Sequence, residues 1–176
     1  MFKQMFLFSV LFIHGLWLSA ENGDSLNRKQ QKEIQRLFGD GIEISSLHIP
    51  SDEVNAQSVS KERDKLYELR REQEVLGYLI STKAKGRFDL FDYSVIFSPS
   101  LEVEGIVVTE YRSTHGAGIC NRRWLEQFRG YTGGELRLGK EIDMISGATL
   151  SAGSMVKDVQ RCYNLLISVL GLPSDP

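Results

Sequence analysis

The sequence has few of the residues that characterise fibrous or disulfide-stapled proteins. Its 176 residues include only two cysteines and four prolines. Two cysteines are too few for a disulfide scaffold, and four prolines with 16 glycines exclude a collagen-like chain. Because 41% of the residues are hydrophobic and 25% are charged, the chain also lacks the polar bias of disordered proteins. The composition therefore indicates a globular protein with one hydrophobic core.

Neither sign of charge dominates the chain. Lysine and arginine number 21, and aspartate and glutamate number 23, which gives a formal net charge of −2. Nucleic-acid binding requires a basic surface, so this balance gives no support to a nucleic-acid partner.

The apolar run over residues 5–18 is shorter than the roughly 20 residues that a transmembrane helix requires. It follows Lys3 and precedes the small pair Ser19 and Ala20. This order is typical of a secretory signal peptide, which we expect to occupy residues 1–20 and to be cleaved near Ala20. The expected location is the periplasm or the cell exterior, with the mature protein soluble.

Few metal-ligating side chains remain in the expected mature chain. Its only histidines are His48 and His115, and no spacing typical of a zinc site occurs, so we expect no metal. An oxidising compartment permits a disulfide between Cys120 and Cys162 but does not require one, and the pairing stays open. Cys162 falls on the apolar face of the last predicted helix, which favours a small buried hydrophobe.

Strand patterns precede most of the helical patterns. Helical spacing covers 25–38, 121–128 and a closing helix from Thr149. Strand patterns cover 41–44, 65–70, 75–82, 91–97, 101–103 and 106–111. Loops are predicted at 50–60 and 130–139. Alternation over 91–97 places Phe91, Tyr93, Val95 and Phe97 on one face. We predict an α+β fold, a single domain with a central, mostly antiparallel sheet flanked by helices. The domain is expected over 65–172, after an N-terminal helix and polar extension over 21–64.

The segment 143–149, Asp-Met-Ile-Ser-Gly-Ala-Thr, leads into the closing helix. A threonine at a helix start ordinarily caps free backbone amides, and Thr149 alone would indicate nothing more. The same free amides and the positive end of the helix dipole also favour a phosphate. Gly147 and Ala148 lack bulk, so a phosphate can approach the backbone closely. Two roles are therefore open, a helix cap and a phosphate site.

The pattern Asp-x-x-Ser-Gly-Ala-Thr resembles the flavinylation motif of the FMN-binding domain family, whose best-known members are flavoprotein subunits of the Rnf and sodium-pumping NADH:quinone reductase complexes. In that family an FAD:protein FMN transferase esterifies the threonine. The resemblance implies that FMN is attached to Thr149 by a phosphoester and that Ser146, Gly147 and Ala148 belong to the cofactor site. It implies that Asp143 helps to present the loop to the transferase.

A second segment, 110–118, lies where the family has a loop similar to Glu-Thr-Pro-Gly-Leu-Gly. The resemblance implies cofactor contacts from Thr114, His115 and Gly116. Two residues depart from the family pattern: Ser113 stands where glutamate is frequent, and His115 stands where many members have proline. The glycines of this loop do not form a dinucleotide fingerprint, because the third glycine is absent.

The segment 124–128 matches a tryptophan-containing helix of the same family, so the similarity extends over about 75–170. Trp124 and Tyr93 are aromatic candidates for stacking on a flavin ring, but both lie on apolar faces, and we expect them to pack in the core.

The resemblance implies an exported flavoprotein electron carrier with FMN as its cofactor. Its partners would be the transferase that matures it and membrane or extracytoplasmic redox proteins. Such a carrier needs no catalytic acid, base or nucleophile of its own, because the cofactor supplies the redox chemistry. The alternative from another class is a non-redox exported binding domain that holds flavin reversibly or not at all. Ser113 is the residue that favours this alternative.

Overall fold

The computed structural model describes residues 26–49 and 63–173. In chain order they form α1 (Arg28–Phe38), β1 (Glu43–Leu47), β2 (Lys65–Arg71), β3 (Glu74–Lys85), β4 (Leu90–Phe97), β5 (Val103–Glu110), α2 (Arg122–Leu125) and α3 (Thr149–Val169). Short 3₁₀ turns, Ala117–Cys120 and Glu126–Phe128, flank α2. The predicted signal peptide, 1–20, and the predicted loop, 50–60, lie outside the described residues.

The strands form one antiparallel sheet in the order β1-β2-β3-β4-β5, each paired with its neighbours in sequence. This meander with its helices confirms the α+β prediction. The two strands predicted over 101–103 and 106–111 are one strand, β5, because a register shift at Ile96 and Phe97 accommodates the pairing of Val103 with Phe97. The domain boundary at residue 65 stays a prediction; β1, which precedes it, pairs with β2.

The helix predicted over 121–128 is shorter than expected. The α-helical part is Arg122–Leu125, and the chain tightens into a 3₁₀ turn at Glu126–Phe128. The tightened turn keeps Phe128 fully buried, in edge contact with the Trp124 ring at a centroid distance of 5.2 Å. Core packing therefore outweighs the continuation of the helical spacing.

Each face of the sheet is covered by a helix. Phe91, Tyr93, Val95 and Phe97 belong to the core on the α3 side, as the alternation predicts. Ile96 points to the opposite face, in a second cluster that contains Ile34 of α1. The sheet consequently has a hydrophobic cluster on each side, with α3 on the larger one, while β1 at its edge is largely exposed.

A capping box begins α1 and a buried amide joins the helix to the sheet. The Asn27 side chain accepts from the backbone of Lys29 and Gln30, and the Gln30 side chain accepts from the Asn27 backbone at 2.7 Å. The Gln30 amide nitrogen donates to the hydroxyls of Ser94 and Ser81 at 2.8 and 3.1 Å. Since this buried donor is satisfied by β3 and β4, it fixes α1 on the sheet.

The two cysteines occupy different environments. Cys120 is exposed, whereas Cys162 is fully buried in the core on α3, as predicted. Burial raises the pKa of the Cys162 thiol to about 12. The thiol therefore stays neutral near pH 7 and packs as a small apolar group.

A buried ion-pair network holds α3 against the sheet. The Arg161 guanidinium donates to both Asp64 oxygens at 2.8 and 2.9 Å and to Asp158 Oδ1 at 2.6 Å. The Tyr93 hydroxyl donates to Asp158 Oδ2 at 2.6 Å, and the Thr82 hydroxyl donates to Asp64. Opposite charges and hydrogen bonds thus satisfy both carboxylates, as buried ions require.

Replacement of Arg161, the cation at the centre of the ion-pair network, should destabilise the fold. Arg161→Met leaves two buried carboxylates without their main partner, so we expect a loss of about 3–5 kcal/mol in the free energy of unfolding. Urea denaturation followed by circular dichroism measures it. Lys32→Met, on the exposed side of α1, is the control and should stay within about 0.5 kcal/mol of wild type. Equal midpoints for the two variants would contradict the assigned role of the network.

Candidate functional site

The motif loop, residues 143–148, is fixed at its beginning by side chains of the preceding helical segment. The Trp124 indole Nε1 donates to the Asp143 carbonyl oxygen at 2.7 Å. The Gln127 Oε1 accepts from the Asp143 backbone nitrogen at 2.9 Å. Both backbone groups of Asp143 are therefore held, while its side chain is exposed.

The motif loop ends in a turn that sets the first residue of α3. Gly147 has φ +75°, a conformation that residues with a Cβ rarely adopt, and open space surrounds the position of a Cβ. The Ala148 backbone nitrogen donates to the Ile145 carbonyl at 3.0 Å. Glycine is thus required here by the backbone conformation and not by crowding.

The Thr149 hydroxyl does not cap the helix, which excludes one of the two roles that the sequence left open. The N-cap is Ala148, and Thr149 is the first helical residue, because the positive φ of Gly147 turns the chain one residue earlier. The Thr149 hydroxyl donates to the Ile145 carbonyl at 3.5 Å, the outer limit of a hydrogen bond. Its side chain is exposed, so the hydroxyl is available for chemistry.

The backbone amides at the start of α3 are available as well. The first amide with a helical partner is that of Ala152, which donates to the Ala148 carbonyl at 2.9 Å. Within the described residues no side chain caps this helix, and the amides of Thr149, Leu150 and Ser151 have no acceptor. Such amides with the helix dipole form an anion-binding end.

A second loop, residues 113–118, packs against the motif loop and is called the glycine loop here. A Cβ on Gly118 would lie 2.7 Å from Ile145 Cγ2 and 3.7 Å from Ala148 Cβ. A Cβ on Gly116, whose φ is +87°, would lie 2.9 Å from Ser151 Oγ. The structure therefore brings together the two segments that the sequence separates by 25 residues or more.

Thr114 and His115 lie on the outer part of the glycine loop, both exposed. The Thr114 hydroxyl and His115 Nδ1 are 3.1 Å apart, and the His115 backbone nitrogen donates to Ser113 Oγ at 3.1 Å. The His115 ring meets the exposed Phe88 ring edge-on at 5.8 Å. These hydrogen bonds lie within the glycine loop, and the His115 ring makes its contact with Phe88 outside it.

An open cleft of about 590 Å³ adjoins the motif loop and is called the motif cleft here. It is lined by Gly118, Asn121, Arg123, Trp124, Gln127, Asp143, Met144 and Ile145. The Asn121 side chain accepts from the backbone of Arg123 at 2.9 Å, so it caps α2 and orients this wall of the cleft. Half of the lining residues are polar or charged, so the cleft offers hydrogen-bonding and charged groups beside its apolar ones.

The aromatic residues behave as the sequence predicts. Tyr93 is fully buried and Trp124 is 6% exposed, so both pack in the core. Trp124 has an additional role that the sequence did not reveal, because its indole nitrogen anchors the motif loop. Gln127, Arg123 and Met144 were also missed; Asn121 alone carries a local signal, as an asparagine before a helix.

Two features are absent from the described residues. Residues 26–49 and 63–173 contain no cluster of three or more metal-ligating side chains. None of their helices combines the length and the hydropathy that a membrane span requires.

Comparison with known proteins identifies part of the chain. Residues 91–164 match the family model of the FMN-binding domain. The chain contains an FMN-binding domain. This match runs from β4 into α3, so it includes the glycine loop, the motif cleft and the motif loop, and it confirms the family resemblance of the sequence.

Among solved structures, NqrC of Shewanella oneidensis is similar to this chain. The TM-score is 0.48 at 15% sequence identity, with 82% of this chain and 86% of that chain covered. No curated protein matches the sequence.

Contact between the two loops leaves no space for a side chain at Gly118. We expect Gly118→Ala to displace Ile145 and to cost about 1–3 kcal/mol of stability, because a Cβ would lie 2.7 Å from Ile145 Cγ2. Gly153→Ala is the matched control: its Cβ would meet Leu138 at 3.9 Å inside a helix, which predicts a gain of up to about 1 kcal/mol. Urea denaturation of both variants measures the difference. A Gly118→Ala variant as stable as wild type would show that the loops do not touch as described.

Proposed function

We propose that this protein is an exported flavoprotein electron carrier with FMN attached to Thr149 by a phosphoester. The FMN-binding domain supports the cofactor, and the exposed side chain of Thr149 supports the attachment. The carrier passes electrons between membrane or extracytoplasmic redox partners. Export rests on the apolar run, Lys3 and the small residues before the expected cleavage at Ala20.

The observation that carries the proposal is the free hydroxyl of Thr149. Because Ala148 occupies the N-cap, esterification of the Thr149 oxygen disturbs no helix cap; it removes only the hydroxyl proton that makes one long contact, to the Ile145 carbonyl. A phosphate on this oxygen would adjoin the free amides of the first turn, which stabilise negative charge. The residues present therefore fit the phosphate of FMN.

The surroundings of Thr149 also suit a modifying enzyme. Ser146 and Asp143 are exposed, and the motif loop lies at the surface with an anchored beginning. The Asp143 carboxylate forms no hydrogen bond with another described residue, and its negative charge does not favour a neighbouring phosphate. Its proposed role is therefore to present the loop to an FAD:protein FMN transferase.

A covalent link has a physical advantage for an exported carrier. A micromolar dissociation constant corresponds to about −8.2 kcal/mol and allows loss of cofactor into a dilute exterior. An ester prevents this loss. The bound FMN supplies the redox chemistry, while the chain's own residues hold the phosphate, shape the motif cleft and set its charge.

The second candidate function is a non-redox binding domain without covalent flavin. It is favoured by the glycine loop, where the hydroxyls of Ser113 and Thr114 form their hydrogen bonds with His115 of the same loop. Protein produced together with the transferase separates the two functions by colour. A carrier is yellow and remains yellow after denaturation and gel filtration, whereas colourless protein would favour the binding domain.

Substitution of Thr149 tests the attachment site. Thr149→Ala should abolish denaturation-resistant flavin and leave the fold intact, because the hydroxyl is not a cap and contributes well under 1 kcal/mol. Thr149→Ser keeps a hydroxyl and should retain partial modification. Flavin fluorescence of denatured protein on a gel measures loading.

Thr132→Ala, which removes an exposed hydroxyl in another loop, is the control and should load as wild type does. Wild-type loading of Thr149→Ala would exclude Thr149 as the attachment residue. Equal circular dichroism spectra of all variants show that a loss of flavin is not a loss of fold.

A further inference from the structure

The motif cleft contains one positive and one negative side chain among the residues that line it. The positive one is Arg123 on α2, and the negative one is Asp143 at the beginning of the motif loop. Neither side chain forms an ion pair with a described residue, and Arg123 is exposed. An unpaired guanidinium beside an open cleft can meet a negatively charged ligand group directly.

The neighbouring arginine is placed differently. Arg122 Nε lies 3.3 Å from Glu126 Oε1, so its charge is paired one helical turn away. Arg122 lines a separate groove, with Lys29 and Cys120, on the other side of α2. Arg122 and Arg123 are adjacent on one short helix, but their positive charges therefore lie at two different sites.

The position of Arg123 is set by contacts of its backbone and its neighbour. Asn121 caps α2 through the Arg123 backbone nitrogen, and the Trp124 indole is anchored on Asp143. Trp124 also packs against Phe128 in the core. The wall from which the Arg123 side chain extends is thus rigid.

We propose that Arg123 raises the reduction potential of FMN bound in the motif cleft. This inference rests on the proposed function. Reduction of a bound flavin by two electrons and one proton from a redox partner would add one negative charge to it. The Arg123 guanidinium, which lines the cleft, would stabilise this charge and so favour the reduced state.

The test uses wild-type protein and variants loaded with FMN by the transferase, and reductive titration with dithionite against a reference dye. Arg123→Gln should lower the ratio of reduced to oxidised flavin about tenfold at a fixed potential, a shift of about 30 mV for a two-electron couple. Arg123→Lys keeps the charge and should restore most of the potential. Arg122→Gln, the matched control, should titrate as wild type.

The outcomes are distinct. Unchanged potentials in Arg123→Gln would overturn the role of Arg123, as would an equal shift in Arg122→Gln, which would indicate a general surface effect. Both results leave the carrier function intact, since covalent loading is read separately on a denaturing gel. Wild-type protein without covalent flavin would overturn the proposed function and this inference with it.

Discussion

Packing of α3 across one face of the sheet determines where the motif loop lies. Val156, Val159 and Leu166 are buried in the core, and the Arg161 network fixes the same helix through charge. Because the helix cannot rotate without exposing these groups, its first turn has one position relative to the glycine loop. The loop contacts at Gly116 and Gly118 depend on that position.

Anchoring and exposure are separated within the motif loop. The backbone of Asp143 is held by Trp124 and Gln127, whereas the side chains of Ser146 and of Thr149, directly after the loop, are exposed. A site that must be reached by a modifying enzyme and later keep a cofactor in place benefits from both properties. The FMN-binding domain spans these anchors, so the family similarity and the geometry refer to the same surface.

Much of the fold follows from the sequence, because period-two alternation in β4 and helical spacing in α1 and α3 are strong local signals. The sequence did not predict that β5 is one continuous strand, because a register shift depends on the partner strand. The sequence left open whether Thr149 caps α3; the structure excludes this role, because Ala148 is the N-cap and Thr149 is the first helical residue. Arg123 and Gln127 carry no local pattern; only the approach of α2 to the motif loop gives them a place in the cleft.

The central claim is a covalent bond between FMN and Thr149, and mass spectrometry tests it most directly. Wild-type protein produced with the transferase should gain the mass of one FMN minus one water, and peptide mapping over 141–157 should place that gain on Thr149. The intact mass also reports whether residues 1–20 have been removed. An unmodified mature chain, or flavin attached to another residue, would contradict the account.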